Sequence, residues 1–153
     1  MQGVAQGRVD SDVVSDKERL IDDILAFDAG RFPAPRETFL RNWLDRPGLH
    51  VAGLYRGDKF TGYGVARPCR SGFKIAPLLA TDVVTADRLL GDLMARIAGE
   101  QVQIDVPETN LTTLALASKY ELEEVFGCVR MYHGAAPQIF TENVYAVTSL
   151  EFG

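Results

Sequence analysis

"KIAPLLATDVVTADRLL", residues 74–90, is the stretch on which the reading of this chain turns. Its first part is nearly all apolar, as expected of a strand covered on both faces. A polar break at Thr81 and Asp82 follows. Leu89 and Leu90 then open a helical stripe that continues through Leu93, Met94 and Ile97. The spacing predicts a strand over 73–80, a helix stopping near Gly99, and a further strand, "VQIDV", over 102–106. A strand–helix–strand unit of this kind predicts a right-handed parallel crossover. A strand running into a helix N-terminus also gathers free backbone N–H groups at the positive end of the helix dipole, where phosphate can be held. Such loops usually carry glycine, and none lies between Ile75 and Leu90.

Working outward, "SDKE" at 15–18 has the form of a capping box, with Ser15 as cap and Glu18 reaching back. Leu20, Ile21, Ile24, Leu25 and Phe27 then predict a helix ending near Gly30. "FPAP" at 32–35 is a break, and Phe39, Leu40, Trp43 and Leu44 mark a second short helix before the turn "DRPG" at 45–48. Strands are expected over 49–56 and 60–68, joined by "GDK". Beyond 106, "ETNLTTLALASKY" (108–120) predicts a helix capped by Asn110 or Thr109. Strands are expected over 123–133 and 143–152, and one early strand within 2–9 of an otherwise weakly defined segment 1–14. Short-turn neighbours imply an antiparallel meander, so the whole is a mixed α/β (α+β) sheet. At 153 residues it is one domain, 1–153.

Apolar content of 46% and charged content of 24% are ordinary for a globular protein. A net charge of −5 argues against a general nucleic-acid binder, which needs a basic face. Cys69 and Cys128 offer neither a disulfide framework nor zinc spacing, and with His50 and His133 they give no metal cluster. A reduced, cytoplasmic setting is the natural expectation. No apolar run approaches the roughly 18 residues of a membrane span, and "MQGVAQGRVDSD" has no apolar core like a signal peptide. The short N-terminal stretch is read as the mark of a piece of a longer protein.

Certain residues carry chemistry. Asp105 interrupts an apolar strand, so its carboxyl is expected either to have a raised pKa, as a base or amine anchor, or to pair with Arg67, Arg70 or Lys74. Those three cations lie around the turn "ARPCRSGFK" (66–74). They would recognise a carboxylate or phosphate on a substrate, or form a solvated charged turn. Cys69 reads as a small buried thiol.

Five stretches carry a resemblance: "FDAGRFPAPRETFLRNWL" (27–44), "GYGVARPCRSGFKIAPLLATD" (62–82), "IDVPETN" (104–110), "RMYHG" (130–134) and "VYAVTSLEFG" (144–153). With the element order, they resemble the GCN5-related N-acetyltransferase (GNAT) superfamily, and more specifically the second domain of two-domain bacterial members. The resemblance implies a mostly antiparallel central sheet flanked by about four helices and splayed between strands 73–80 and 102–106. It implies acetyl transfer from acetyl-CoA to a small-molecule or amino-group acceptor, without a metal. It also implies a second acetyltransferase domain or a homodimer as partner. The alternative is a non-catalytic ligand-sensing or interaction domain of the same fold.

The resemblance assigns the pantetheine arm to backbone groups of Pro77, Leu78 and Leu79, and the pyrophosphate to the loop from Thr81 through Val84, Thr85 and Ala86. The superfamily loop reads Arg or Gln, two variable residues, Gly, one variable residue, then Gly or Ala. Only Ala86 fits it here. Val84 stands where a missing side chain lets the pyrophosphate approach, and Asp82 adds a negative charge, or else caps the helix. Asn110 caps its helix and is a further cofactor contact. The position of the usual thiolate-protonating Tyr is Ala117, which leaves Tyr120 and Tyr132 as the candidate acids and Asp105 as the candidate base.

Overall fold

In the computed structural model, residues 1–32, 34–135 and 141–151 are described. Part of the break "FPAP", at Pro33, and the end of the last expected strand, at Phe152, lie outside them. The chain begins with β1 (Gln2–Val4), the early strand expected within 2–9. Helix α1 (Lys17–Ala29) follows. Its cap is Asp16 rather than Ser15: the Asp16 carboxylate accepts from the N–H groups of Glu18 and Arg19. Both residues are competent caps, and the helix starts one residue later than the capping-box pattern implies. Helix α2 (Glu37–Leu44) buries Leu40, Trp43 and Leu44.

The meander comprises β2 (His50–Arg56), β3 (Lys59–Pro68) and β4 (Phe73–Ala80), all antiparallel neighbours. The β3–β4 turn depends on Gly72, at φ +70° with its α-carbon against the Gln101 carbonyl, a conformation and a contact that exclude a side chain. Helix α3 (Val83–Arg96) ends at Ile97, two residues before Gly99. Then come β5 (Gln101–Ile104), shorter than the expected 102–106, and α4 (Leu111–Lys119), capped by Asn110 and not Thr109. A 3₁₀ turn (Thr141–Asn143) leads into β6 (Val144–Ala146).

The strands form one sheet ordered β1-β5-β4-β3-β2, with β6 also paired to β4. β4 and β5 are parallel, as the crossover predicts. One face carries a core of Leu78, Leu89, Leu90, Leu93, Met94, Ile104 and Leu116 beneath α3 and α4. The other carries Leu20, Ile24, Trp43, Leu44, Tyr63, Val65 and Leu79 beneath α1 and α2. Adjacent β4 residues thus point into different cores, which is why the strand reads as nearly all apolar.

One expected strand is missing. Residues 123–133 pair only at Glu123, which bridges Gln2, and the last strand is confined to 144–146. Alternating apolar residues make a segment able to form a strand, but a strand also needs a free edge beside it. Beyond Glu123 none is offered within the described chain.

Candidate functional site

β4 changes neighbour part-way along. At Phe73, Lys74 and Ile75 it pairs with Val102, Gln103 and Ile104 of β5. The pairing then stops and the strands part. At Leu78 and Leu79, β4 pairs instead with Ala146 and Val144 of β6, antiparallel. On the far side of β6, Val147 N donates to the Asp105 carbonyl at 3.0 Å. The short terminal strand is therefore wedged into the opening of the parallel pair. β3 occupies the opposite edge at the same residues, through Gly64 and Tyr63. The backbone of Leu78 and Leu79 is thus paired on both sides.

β4 leads straight into the N-terminus of α3. Asp82, in extended backbone, caps it: Oδ1 accepts from Thr85 N at 2.8 Å, while Oδ2 accepts from Arg56 at 3.1 Å and from the Thr81 hydroxyl at 3.2 Å. The backbone bond from Thr85 is the main reason the Asp82 carboxyl is held below its ordinary pKa. Asp82 turns inward to the helix rather than away to solvent. Val84 is 60% exposed on the first turn, whereas Thr85 and Ala86 are buried.

The start of α4 closes the other side. Asn110 is buried, and its carbonyl oxygen accepts from Thr113 N and from the Thr112 hydroxyl. Its amide donates to the carbonyls of Thr141, Glu142 and Val144, at 3.2, 3.3 and 3.1 Å. One side chain thus caps α4 and ties down the chain entering β6, and its polar atoms are all engaged within the protein.

Asp105 lies just beyond β5, where the strands part. Of the three cations considered for it, Lys74 is its partner, and both side chains are largely buried. Arg67 lies across from Lys74 in the β3–β4 register and stacks over Trp43. Arg70 is exposed in the turn. The three therefore do not converge on one anion.

The tyrosines also separate. Tyr120 sits between α4 and α3, its hydroxyl 3.0 Å from Asp87 Oδ1 and 3.1 Å from Asp87 O. Burial first, and the Asp87 charge second, push its pKa up. Tyr132 is 44% exposed on the unpaired segment. Ala117 is buried in the core.

Two features escaped the sequence reading. Tyr145 of β6 is buried beside Thr112 and feels the Asp82 charge. Burial is the main cause of its raised pKa. It brings a hydroxyl between the starts of α3 and α4, and nothing in "VYAV" marks it as special. On the opposite face, fully buried Asp28 accepts two bonds from Arg36, at 2.8 and 2.9 Å, and one from the Tyr63 hydroxyl at 2.8 Å. The only sequence signal is an acid beside Leu20, Ile24 and Phe27 on the apolar side of α1. Two clefts of about 240 Å³ open along α1 and α2, and neither is lined by β4, β5 or β6. Among the described residues, no group of His, Cys, Asp and Glu is placed to hold a metal ion, and no helix is long and apolar enough to cross a membrane.

Comparison with known proteins bears on this arrangement. The family described as "Acetyltransferase (GNAT) domain" matches residues 24–146. The chain is similar to the holothin acyltransferase of Pseudoalteromonas sp. (strain SANK 73390), with 31% identity over 134 residues, covering 87% of this chain and 46% of that protein. Its fold is similar to that of a solved protein from Pyrococcus horikoshii described as a candidate acetyltransferase. There the TM-score is 0.76 at 20% identity, over 99% of this chain and 50% of the other. The chain thus spans about half the length of each.

Proposed function

Because the chain belongs to the GNAT acetyltransferase domain family, we propose that it acts in acyl transfer, with acetyl-CoA as donor and an amine of a small molecule or another amino group as acceptor. The observation that carries this reading is the parting of β4 from β5 after Ile75 and Ile104, directly below the N-terminus of α3. The similarity to an acyltransferase supports the same reaction class. Acetyl-CoA would supply the activated acyl thioester. A bacterial cytoplasmic setting, with neither nucleic acid nor membrane as partner, goes with this reading.

As arranged, the groove does not fit the cofactor arm. The edge of β4 at Leu78 and Leu79 is filled by β6, and Asp82 already occupies the Thr85 N–H. What the chain's own residues offer is limited and specific. Asp105, beside Lys74 where β4 and β5 part, is the candidate to accept an ammonium proton. Tyr120 would have to leave Asp87 to serve as an acid, and Tyr132 would have to fold back from solvent. Arg67, Arg70 and Lys74 remain the candidates on the acceptor side.

A second reading is favoured by β6 itself: a non-catalytic acetyltransferase-like domain that senses a ligand or supports a catalytic domain. Val144, Tyr145 and Ala146 are core residues, not a loose flap. Calorimetric titration with acetyl-CoA separates the two. Saturable binding in the micromolar range supports the first reading, and no heat at millimolar ligand from a folded sample leaves the second.

A further inference from the structure

Residues 124–132 carry a run of exposed apolar side chains. Val125 is 60% exposed, Phe126 68%, Val129 84% and Met131 87%. Glu123 exchanges two backbone hydrogen bonds of 2.8 Å with Gln2 at the outer edge of β1. After it, no backbone group up to residue 135 has a partner among the described residues. Yet "VFGCVRMY" is among the more strand-like runs of the chain, rich in β-branched and aromatic residues. A strand-capable apolar segment that leaves its own sheet edge with unpaired backbone is a template for another strand.

We propose that this segment pairs antiparallel with the same segment of a second copy of this chain, in register about Gly127. The register follows from charge and size. Centred on Gly127, it sets Glu124 across from Arg130, Val125 across from Val129, and Phe126 across from Cys128. Two-fold symmetry makes each of these contacts twice. Every charge in the paired stretch then faces its opposite, and Val125 and Val129 cover one another on one face. A register moved by two positions, centred on Cys128, sets Glu124 against Tyr132 and Phe126 against Arg130 and leaves both charges unanswered. Gly127 suits the axis: a Cβ there would meet nothing closer than a Glu124 carboxylate oxygen at 3.5 Å, so the backbones can approach. Met131 and Tyr132 extend past the paired stretch and reach over the partner's strand.

The test is the oligomeric state of the intact chain by sedimentation velocity at tens of micromolar. The wild type sediments as a dimer. Glu124→Arg and Arg130→Glu each set like charges opposite one another twice and weaken the dimer roughly tenfold. The double reversal restores opposite charges and recovers the wild-type association. Val129→Asp gives a monomer. Because Glu124, Val129 and Arg130 are exposed in their own chain, the circular dichroism of each variant stays at the wild-type value, and so does the thermal midpoint once the chain is dilute enough for the wild type to dissociate, which separates lost association from lost folding. A monomeric wild type overturns the proposal. So does a dimer that survives Val129→Asp, or a double reversal no better than the single ones.

Discussion

The two halves of β4 differ more than their sequence does. "FKI" carries one charge and is half-buried at Phe73 and Lys74, whereas "LLA" is wholly apolar and buried. The first half has a parallel neighbour that arrives through the α3 crossover. The second has an antiparallel neighbour from the end of the chain. Between them lies Pro77, which has no N–H to offer either neighbour. The first half is held by local topology. The second depends on a strand whose entry is tied down by a side chain from elsewhere, Asn110. In a fold whose relatives include acyltransferases, the half beside the α3 terminus is where function is expected, and here it is where the sheet is most complete.

The sharpest way to break this comparison is to release the second half alone. Asn110→Ala removes the α4 cap and the amide group that donates to three carbonyls of the chain entering β6. Loss of a cap and of buried hydrogen bonds together predicts destabilisation of about 2–4 kcal/mol by denaturant titration. Amide exchange should show where it falls. The Val147 amide, which donates to Asp105, should lose protection well before the amides of the β4–β5 pairing do. Equal loss in both halves would mean that β4 behaves as one unit.

The next effect is smaller and belongs to the first half. Asp105→Asn takes from Lys74, which is mostly buried, the carboxylate it is paired with. A partly screened pair of this kind predicts a loss of about 1–2 kcal/mol. If the domain turns over acetyl-CoA, kcat/KM in the same variant should fall by more than the unfolded fraction explains. Unchanged kcat/KM removes Asp105 from the chemistry and leaves it as a structural partner of Lys74.

Much of this was legible in the sequence, for physical reasons that vary along the chain. The helices and the first strands follow from local periodicity, and the parallel pairing of β4 with β5 follows from the length and handedness of the crossover. The capping role of Asn110 is likewise local. Its hold on Thr141, Glu142 and Val144 is not: three carbonyls some thirty residues away leave no mark in composition or spacing. The same limit explains the expected strand over 123–133. "EEVFGCVRMYH" signals β-capability, but whether a neighbouring edge exists is decided by the rest of the fold, and the place beside β4 is taken by β6. The site residues fared as their types allow. Asp105 could be narrowed to a few partners, whereas the separation of Arg67 from Arg70, and of Tyr120 from Tyr132, required the folded chain.

The turn from β4 into α3 gives finer tests. Val84→Gly removes an exposed β-branched residue from the first turn of α3. It should loosen the helix start by about 0.5–1 kcal/mol, read as a lower thermal midpoint. If steric approach to the backbone limits phosphate binding at Thr81–Ala86, acetyl-CoA affinity should nevertheless rise. A variant that loses stability and gains no affinity shows that the missing glycine is not the obstacle.

Asp82→Asn should perturb the fold least and discriminate best. Asparagine caps a helix about as well as aspartate, so Thr85 N keeps its acceptor and stability at neutral pH should change by only a few tenths of a kcal/mol. What changes is charge. The folded-state pKa of Asp82 is depressed, chiefly by the bond from Thr85. Its share of stability is therefore present above the unfolded carboxylate pKa and lost as pH falls through the lower folded value. The variant should lack that acid-side loss while matching the wild type at pH 7. Toward acetyl-CoA the sign reverses. A carboxylate beside a pyrophosphate repels it, so neutralising Asp82 should tighten binding, most clearly at low ionic strength where the charge is least screened. Tighter binding with unchanged stability would show that the α3 terminus can still receive phosphate. Unchanged absence of binding in Asp82→Asn, Val84→Gly and wild type alike would leave Asp82 as a helix cap alone and the second half of β4 as a closed part of the core.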